Sequence, residues 1–442
     1  MEEIITQIVT IFVLIYLFLG IRLSCKGIFK LILFIQVLSD IFLVSSWETL
    51  NTYYFIRYIS GADHLSAIVF LTISLFLMDF PELFFNRGKY FKSPFDLGVF
   101  QKYVQSSKSF AISMLIFGLI VKMIELSTSG ILSGRDVSTY KPEDSVGLYF
   151  LSVADFLIPF SLAMLYNPGK NKPRFPIIEI VILFLLSYFS FSKAAILIYF
   201  AVYAPTLAVV FGVNLLKKIF LKPILIPIII GMAIFFGIKS QQRSNLVVSI
   251  QPDTIFKFAL DGVGSRFGAI YRTFVVVNRE IQLNEKATLE GYYNSQVFYL
   301  WIPRFLWTEK PRVASELLYD YLGVSEENYG TAFAINVFGT FLVDFGSKIA
   351  YLLAFVFGFI IYFGDRALER LVGSNISMIK IFVAILWINF SFSLAEGGIP
   401  PGFTKALILI AAYFLCNFLN IFVVTPILKI THLYEDTSFQ KT

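Results

Sequence analysis

The sequence has few charged residues, few cysteines and few histidines. Only 15% of its 442 residues are charged, whereas about a quarter is usual in soluble domains. Cys25 and Cys416 lie at or within apolar segments, so the chain offers neither a disulfide framework nor a CxxC metal pattern. His64 and His432 are too few for a histidine-rich metal site. The low content of charged residues excludes a soluble fold. Because the acidic residues lack DxD spacing, we predict metal-independent chemistry without a cofactor.

Long apolar runs make up much of the chain, which is 57% hydrophobic. A helix needs about 20 mostly apolar residues to cross a bilayer. The candidate spans lie at about 4–21, 28–46, 66–85, 109–128, 147–166, 176–190, 194–213, 223–238, 347–364, 379–395 and 404–424. A further segment, 332–346, is short and polar for a span, and we expect either a re-entrant segment or a helix leaning into a cavity. The sequence therefore predicts an all-α, polytopic transmembrane bundle of about eleven or twelve spans.

The charged connections between these runs predict which side of the membrane each one faces. The short connections rich in Lys and Arg lie near 22–30, 86–108, 167–175 and 214–222. Such loops are typically cytoplasmic, and the alternation of spans then puts the N-terminus outside. We expect the first run to be retained as an anchor, since no basic region or cleavage site accompanies it. The predicted parts are a bundle of about eight spans over 1–238, an extracytoplasmic helical loop over 239–346, further spans over 347–424 and a cytoplasmic tail over 425–442.

The stretch 239–331, here called the polar segment, combines arginine with aromatic residues. Its arginines are Arg243, Arg266, Arg272, Arg279, Arg304 and Arg312. The segment is also rich in acidic residues, and a charge-balanced loop is by default a solvated surface. However, Trp and Tyr prefer the headgroup level of a membrane, and guanidinium groups bind phosphate oxygens bidentately. The composition therefore suits a membrane-surface site for a lipid-linked phosphate or diphosphate.

One element of the polar segment, Ile302-Pro303-Arg304 followed by Lys310-Pro311, resembles a known family. It is similar to the end of the large periplasmic loop in Wzy-type oligosaccharide repeat-unit polymerases, the O-antigen polymerase family. Arg266, Asn336-Val337-Phe338-Gly339 and Asp344-Phe345-Gly346 also look like that family. The detailed resemblance covers roughly a quarter of the chain, and the remainder is similar in its hydropathy only.

The resemblance implies a membrane glycosyltransferase in the cytoplasmic (inner) membrane of a bacterium. Its substrate would be an oligosaccharide on undecaprenyl diphosphate, and its product an O-antigen, capsule or exopolysaccharide chain made at the outer face. Fixed Arg and Lys side chains would stabilise the departing diphosphate, and a carboxylate or imidazole would take the acceptor proton. The implied partners are the lipid-linked oligosaccharide, membrane lipid and a chain-length regulator protein, with no nucleic acid.

Several residues are predicted to carry this chemistry. We expect Arg266, Arg304 and Lys310 to be the catalytic cations that meet the diphosphate. The predicted substrate-binding residues are Arg243, Arg272, Arg312, Trp301, Trp307 and Asp344. The general base stays open between His64, Glu290, Glu309, Glu396 and Asp344.

Charged residues inside the apolar runs are functional candidates, because a charge within a bilayer is costly. The candidates are Asp40, Lys122, Glu125, Asp155 and Asp344. Lys122 and Glu125 stand at positions i and i+3 of one helix, so we expect them to pair with each other. That pairing would leave Asp155 without a local partner.

Two alternative functions stay open. An O-antigen ligase-like transferase would use the same lipid donor with a different acceptor, and a flippase or transporter would move the lipid-linked oligosaccharide. Transporter folds commonly contain internal repeats with broken helices, and the two halves of this sequence show no convincing repeat. The element that ends in Lys310-Pro311 favours a polymerase over a ligase.

Overall fold

The structure, a computed structural model, describes residues 2–20, 24–43, 59–85, 108–128, 147–166, 175–188, 195–211, 231, 234, 267–283, 287–302, 306–311, 318, 334–373 and 377–427. The predicted span at 223–238 falls outside these residues, apart from positions 231 and 234. The cytoplasmic tail predicted over 425–442 is described only as far as position 427. The first part of the polar segment, up to position 266, also lies outside them.

All regular secondary structure in the described residues is helical, as predicted. The α-helices in chain order are α1 (Glu2–Leu19), α2 (Cys25–Leu43), α3 (Gly61–Phe85), α4 (Lys108–Thr128), α5 (Gly147–Leu165), α6 (Ile177–Tyr188), α7 (Ala195–Phe211), α8 (Ala269–Gln282), α9 (Tyr292–Ser295), α10 (Val337–Gly373), α11 (Met378–Glu396) and α12 (Ile399–Leu419). Gln296–Phe298 forms a 3-10 turn, and Asn420–Val424 continues α12 as a π-helix.

Four of the described helices are long and apolar enough to cross a membrane. They are Gly61–Phe85, Val337–Arg370, Met378–Glu396 and Ile399–Ile427. Shorter apolar helices cover Ile4–Leu19, Val153–Leu165, Ile177–Ser187 and Ile198–Phe211. Large apolar side chains such as Phe12 and Phe414 are exposed on these helices, as expected where lipid replaces water as the solvent. The helices therefore support the prediction of an integral membrane protein.

The chain divides into two compact units. The first unit comprises Met1–Ser93, Pro227–Arg370 and Trp387–Thr404, and the second comprises Pro94–Ile226, Leu371–Leu386 and Lys405–Thr442. In the first unit, α1 packs against α2 and α3, and α8 packs against the same two helices. The polar segment and the N-terminal helices therefore share one unit.

Helix α8, which lies in the loop that the sequence predicted to be helical, is buried. Phe274, at its centre, is fully buried, with its ring 5.9 Å from that of Phe70 on α3. Phe70 in turn stacks on Tyr351 of α10, with ring centroids 4.8 Å apart. Aromatic contacts thus continue from α10 through α3 to α8, and they fix α8 within the first unit.

Helix α10 is broken at Gly346, where the sequence had separated the segment 332–346 from the span 347–364. Gly346 has φ 72° and ψ 174°, a backbone conformation that only glycine adopts readily. Before the break, Asn336 caps the helix by accepting the Gly339 N–H at 2.9 Å. The residues from Val337 to Val343 are buried. The described part of 332–346 is therefore the buried first part of α10, and the re-entrant segment and the helix leaning into a cavity both stay predictions.

A buried charge network joins α1, α2 and α3 in the first unit. Lys26 and Lys30, which the sequence assigned to a basic connection, lie inside α2 and are buried. The Lys26 ammonium is 2.8 Å from the Asp79 carboxylate of α3, and Lys30 and Tyr16 also bond to Asp79. Because each buried charge has a partner on another helix, the network stabilises this arrangement of the three helices.

The second unit contains a buried ion pair that gives Asp155 a partner. Lys122 on α4 reaches Asp155 on α5, with Nζ 3.3 Å from Oδ1 and both side chains almost fully buried. The predicted pairing of Lys122 with Glu125 of its own helix stays a prediction, since the side chain of Glu125 lies outside the described part of the chain. Close packing of α4 against α5 brings Lys122 near Asp155. A Cβ on Gly118 of α4 would stand only 2.9 Å from Ile158 Cγ1 of α5. Lys122 and Asp155 lie one turn along from that contact, so they face each other.

This packing leads to a prediction about stability. Lys122→Met should lower the free energy of unfolding by about 3–5 kcal/mol, because it leaves a buried carboxylate without its cation. The double variant Lys122→Met/Asp155→Leu should recover most of that loss, since no charge is then left buried. The measurement is thermal unfolding of the protein in detergent. Equal stability of Lys122→Met and the wild type would contradict the pairing.

Candidate functional site

Three helices of the first unit meet at the carboxylate of Asp40. Asp40 lies near the end of α2, His64 lies in the first turn of α3, and Arg272 lies on α8. The Arg272 Nε donates a hydrogen bond to Asp40 Oδ1 at 2.8 Å. The His64 Nδ1 is 3.7 Å from the other oxygen, Oδ2. We call Asp40, His64 and Arg272 the Asp40 cluster.

The members of the Asp40 cluster differ in their exposure. Asp40 is 3% exposed and Arg272 is 8% exposed, whereas the His64 side chain is 23% exposed. Burial lowers the pKa of Arg272, and the negative charge of Asp40 opposes that shift. Arginine nevertheless stays protonated in proteins, so Asp40 is held by a permanent cation. The imidazole is therefore the member of the cluster with the most access to a ligand.

The start of α3 holds His64 in place. Ser60 and Asp63 form a capping box: the Asp63 carboxylate accepts the Ser60 N–H at 2.8 Å, and the Ser60 hydroxyl accepts the Asp63 N–H at 3.2 Å. This motif fixes the first turn of a helix. The Tyr271 ring of α8 then stacks on His64, with centroids 6.4 Å apart. Burial raises the pKa of the Tyr271 hydroxyl, and Asp40 adds to the shift, so Tyr271 stays neutral beside the imidazole.

A second contact ties α8 to α3 beyond the Asp40 cluster. The Asn278 side-chain amide donates to the Ser66 hydroxyl at 2.9 Å. Asn278 is fully buried, so this polar contact is made in a dry environment where hydrogen bonds are strong. Two polar contacts, one at Arg272 and one at Asn278, therefore fix both the position and the rotation of α8.

A second buried carboxylate, Asp344 of α10, holds the stretch 287–311, here called the aromatic segment. It accepts the backbone N–H groups of Tyr293 at 2.8 Å and Asn294 at 2.7 Å, and the Asn294 side-chain amide at 2.7 Å. The Leu289 N–H also donates to the Val343 carbonyl at 2.9 Å. Burial raises the pKa of the Tyr293 hydroxyl, and Asp344 adds to the shift. Asp344, predicted to bind substrate, is fully buried and holds the backbone of the aromatic segment.

Two glycines make room for this attachment. Gly291 begins the short helix α9 with φ 89°, and a Cβ at this position would stand 3.1 Å from the Phe345 ring. Gly346 lies at the break of α10 and faces Thr288. Any other residue at these positions would be strained by the positive φ, so both glycines are needed to hold the aromatic segment close to α10.

Lys310 is also buried against backbone carbonyls. Its Nζ donates to the Leu300 carbonyl at 2.7 Å and to the Ile302 carbonyl at 2.7 Å, and the residue is 6% exposed. Carbonyls at the end of a helical turn lack partners within the turn, and a lysine ammonium satisfies them. The sequence predicted Lys310 as a catalytic cation, and the structure gives it contacts that order the chain on either side of Arg304.

The aromatic segment exposes several large apolar side chains. The exposed fractions are 77% for Phe298, 44% for Trp301, 70% for Leu306 and 38% for Trp307. The Trp301 indole N–H donates to the Phe298 carbonyl at 2.9 Å, and Trp307 packs edge-on against Tyr299 at 5.9 Å. These side chains are exposed although the backbone beneath them is fixed, which is typical of a surface that meets lipid or an apolar partner.

The structure brings some of the predicted site residues together. Trp301, Trp307, Lys310 and Asp344 all belong to the aromatic segment or its attachment, whereas Arg272 belongs to the Asp40 cluster. The remaining predicted residues lie outside the described part of the chain: Arg243, Arg266, Arg304 and Arg312. Sequence reasoning noted Asp40 as a costly charge within a span but missed its pairing with Arg272, because the two residues are 232 positions apart.

Comparisons with known proteins add no family to this description. No family model matches the chain, and no curated protein or solved structure is significantly similar to it. Among the described residues, no group of three or more His, Cys, Asp and Glu side chains is arranged to hold a metal ion. The resemblance to Wzy-type polymerases therefore stays a prediction from the sequence.

The attachment at Asp344 leads to a second prediction. Asp344→Ala should loosen the aromatic segment, because two buried backbone N–H groups lose their acceptor at about 1–3 kcal/mol each. Amide hydrogen exchange at Tyr293 and Asn294 should accelerate by roughly 10–10⁴-fold, measured by mass spectrometry in detergent. Glu369→Gln is the matched control, since Glu369 belongs to a partly exposed pair with Arg366 and should leave the segment unchanged. Unchanged exchange in Asp344→Ala would show that the segment is held by other contacts.

Proposed function

We propose that the protein is a membrane glycosyltransferase that polymerises undecaprenyl-diphosphate-linked oligosaccharide units into O-antigen, capsule or exopolysaccharide. The observation that carries this proposal is the aromatic segment. It contains the element that resembles the Wzy-type polymerases, it is fixed to α10 through Asp344, and it exposes large apolar side chains. A fixed backbone with an apolar surface suits a substrate that is half lipid and half sugar.

The position of such a substrate explains why aromatic and basic residues occur together. The polyprenyl chain lies in the bilayer, so the diphosphate lies at the headgroup level, where Trp side chains are also preferred. Arg304 lies two positions after Ile302 in the sequence. The carbonyl of Ile302 accepts a hydrogen bond from Lys310. Lys310 is therefore a positioning residue in this proposal: it holds the carbonyl of Ile302, two positions before Arg304 in the sequence.

The proposed sidedness follows the basic connections. With those connections in the cytoplasm, the polar segment 239–331 lies at the outer face of the cytoplasmic membrane, between about eight spans before it and the spans over 347–424 after it. Both described parts of the polar segment, α8 and the aromatic segment, then stand at that face. Repeat units that have already been moved across the membrane are the substrates available there.

The proposed reaction requires positive charges near the leaving diphosphate and a group that takes the proton of the acceptor hydroxyl. The acceptor hydroxyl oxygen attacks the anomeric carbon of the donor sugar, and the bond from that carbon to the diphosphate oxygen breaks. Arg266 and Arg304 stabilise the negative charge that develops on the leaving diphosphate, which is worth most in a site that excludes water. Arg243 and Arg312 supply further contacts to the lipid diphosphate, and no metal is needed in this scheme.

The test of the proposal is the polysaccharide ladder made by cells that carry Arg304→Ala in place of the wild-type gene. We expect the long-chain ladder to collapse to a single repeat unit on its acceptor, since polymerisation is lost while export and ligation continue. Arg366→Ala is the matched control, because Arg366 pairs with Glu369 of its own helix and is 35% exposed. That variant should make the wild-type ladder.

Other ladders would point to other functions. A normal ladder from Arg304→Ala, at equal protein level in the membrane, would remove Arg304 from the site and contradict the polymerase proposal. Loss of all surface polysaccharide, single units included, would indicate a ligase or a flippase instead. Protein level is checked by immunoblot of the membrane fraction for each variant.

A further inference from the structure

The imidazole of His64 has a fixed orientation, and its Nε2 is the nitrogen that can accept a proton. Its Nδ1 faces Asp40 Oδ2 at 3.7 Å, and its ring is stacked on Tyr271. Within the described part of the chain, no residue forms a hydrogen bond with the other ring nitrogen, Nε2. The side chain is 23% exposed. A ligand hydroxyl can therefore approach Nε2 while the carboxylate holds the opposite side of the ring.

The two carboxylate oxygens of Asp40 have different partners, and these partners determine how Asp40 is oriented towards the His64 imidazole. Arg272 binds Oδ1, which fixes the carboxylate beside a permanent cation. Oδ2 then points at the imidazole. An Asp–His pair of this kind holds the proton on Nδ1 and leaves Nε2 as the base. The separation of 3.7 Å is longer than a hydrogen bond, as is common for such pairs before the substrate binds.

We infer that His64 is the general base of the proposed glycosyl transfer and that Asp40 positions it. This inference rests on the proposed function. His64 Nε2 takes the proton of the acceptor hydroxyl as that oxygen bonds to the anomeric carbon of the donor. The electron pair of the broken carbon–oxygen bond leaves with the lipid diphosphate. The imidazolium then returns its proton to water, which its partly exposed ring permits.

The structure also removes one competing base. Asp344 was a candidate from the sequence, but its carboxylate accepts three N–H groups and is fully buried. A fully buried carboxylate, with three of its roughly four lone-pair sites already taken by N–H donors, has no access to an acceptor hydroxyl. His64 lies on α3 and is held by α2 and α8, so it stands where the polar segment meets the helices.

The pH behaviour follows from the groups that face the imidazole. They are Asp40 of α2, Asp63 of its own helix α3, and Tyr271 and Arg272 of α8. Of these groups, Arg272 stays charged and Tyr271 stays neutral over the pH range in which an imidazole titrates. A loss of activity on acidification in this range would therefore report the protonation of His64.

The experiment uses membranes from a strain whose own gene is deleted, supplemented with the full-length wild type or a variant. The probe is the undecaprenyl-diphosphate-linked repeat unit extracted from the deletion strain. His64→Gln should polymerise it about 10²–10⁴-fold more slowly than the wild type. His432→Gln is the matched control at the second of the two histidines, and it should retain the wild-type rate.

Two further readouts separate a base from a residue with a structural role. Added imidazole should restore part of the activity of His64→Ala, since it supplies the missing base. The wild-type rate should fall as the pH is lowered, and this fall should be absent in His64→Gln. Asp40→Asn should lower kcat and leave KM unchanged, because it misorients the base without removing a substrate contact.

The outcomes distinguish this inference from the proposed function. A wild-type rate in His64→Gln overturns the inference and leaves the polymerase intact. Loss of activity with no rescue by imidazole and no change in the pH profile assigns His64 a structural role, and also overturns it. If the deletion strain still makes long chains, the proposed function fails, and the role of His64 in that reaction fails with it.

Discussion

Two buried carboxylates attach the polar segment to the apolar helices, and the described site depends on them. Asp40 of α2 binds Arg272 of α8, and Asp344 of α10 binds the backbone at Tyr293 and Asn294. In both cases the carboxylate comes from an apolar helix and the donors come from the polar segment. A buried charge is strongly destabilising without its partner, so each carboxylate requires the polar segment to be docked.

This constraint gives the described parts of the polar segment, α8 and the residues 287–302 and 306–311, a defined structure despite the balanced charge of the segment. Helix α8 is fixed by polar contacts at Arg272 and Asn278, and by the packing of Phe274. The aromatic segment is fixed by Asp344 beneath it and by Lys310 at its end. The apolar side chains of the aromatic segment can then remain exposed, because the contacts of Asp344 and Lys310 hold its backbone in place. A rigid, apolar surface next to a basic element is what a lipid diphosphate donor needs.

The sequence predicted the elements of the fold better than their contacts. Apolar runs predicted the helices, and the boundary that the sequence placed between 332–346 and the span 347–364 lies where α10 breaks, at Gly346. Helix α3 begins earlier than its apolar run because the capping box of Ser60 and Asp63 adds a turn. That turn carries His64, so a local polar motif, and not hydropathy, decides where the imidazole stands.

Contacts between helices could not be predicted in the same way. Lys122 pairs with Asp155 because Gly118 lets α4 and α5 approach closely, and no spacing within one helix reveals such an approach. The contacts of Lys310 and Asp344 could not be predicted for the same reason: each charge satisfies backbone groups that only the folded chain brings near.

These contacts distinguish the cations that hold the structure from the cations proposed to bind the diphosphate. A cation that must meet a substrate diphosphate needs donors directed at the ligand, whereas the Nζ of Lys310 is directed at two carbonyls and the Nε of Arg272 at Asp40. Both residues are therefore suited to hold the structure around the substrate. In the proposed reaction the leaving diphosphate is stabilised by arginines such as Arg304, and the proton is taken by His64, on a turn that the capping box orders. The proposed base thus stands on an ordered turn, and the buried charges hold the helices around it.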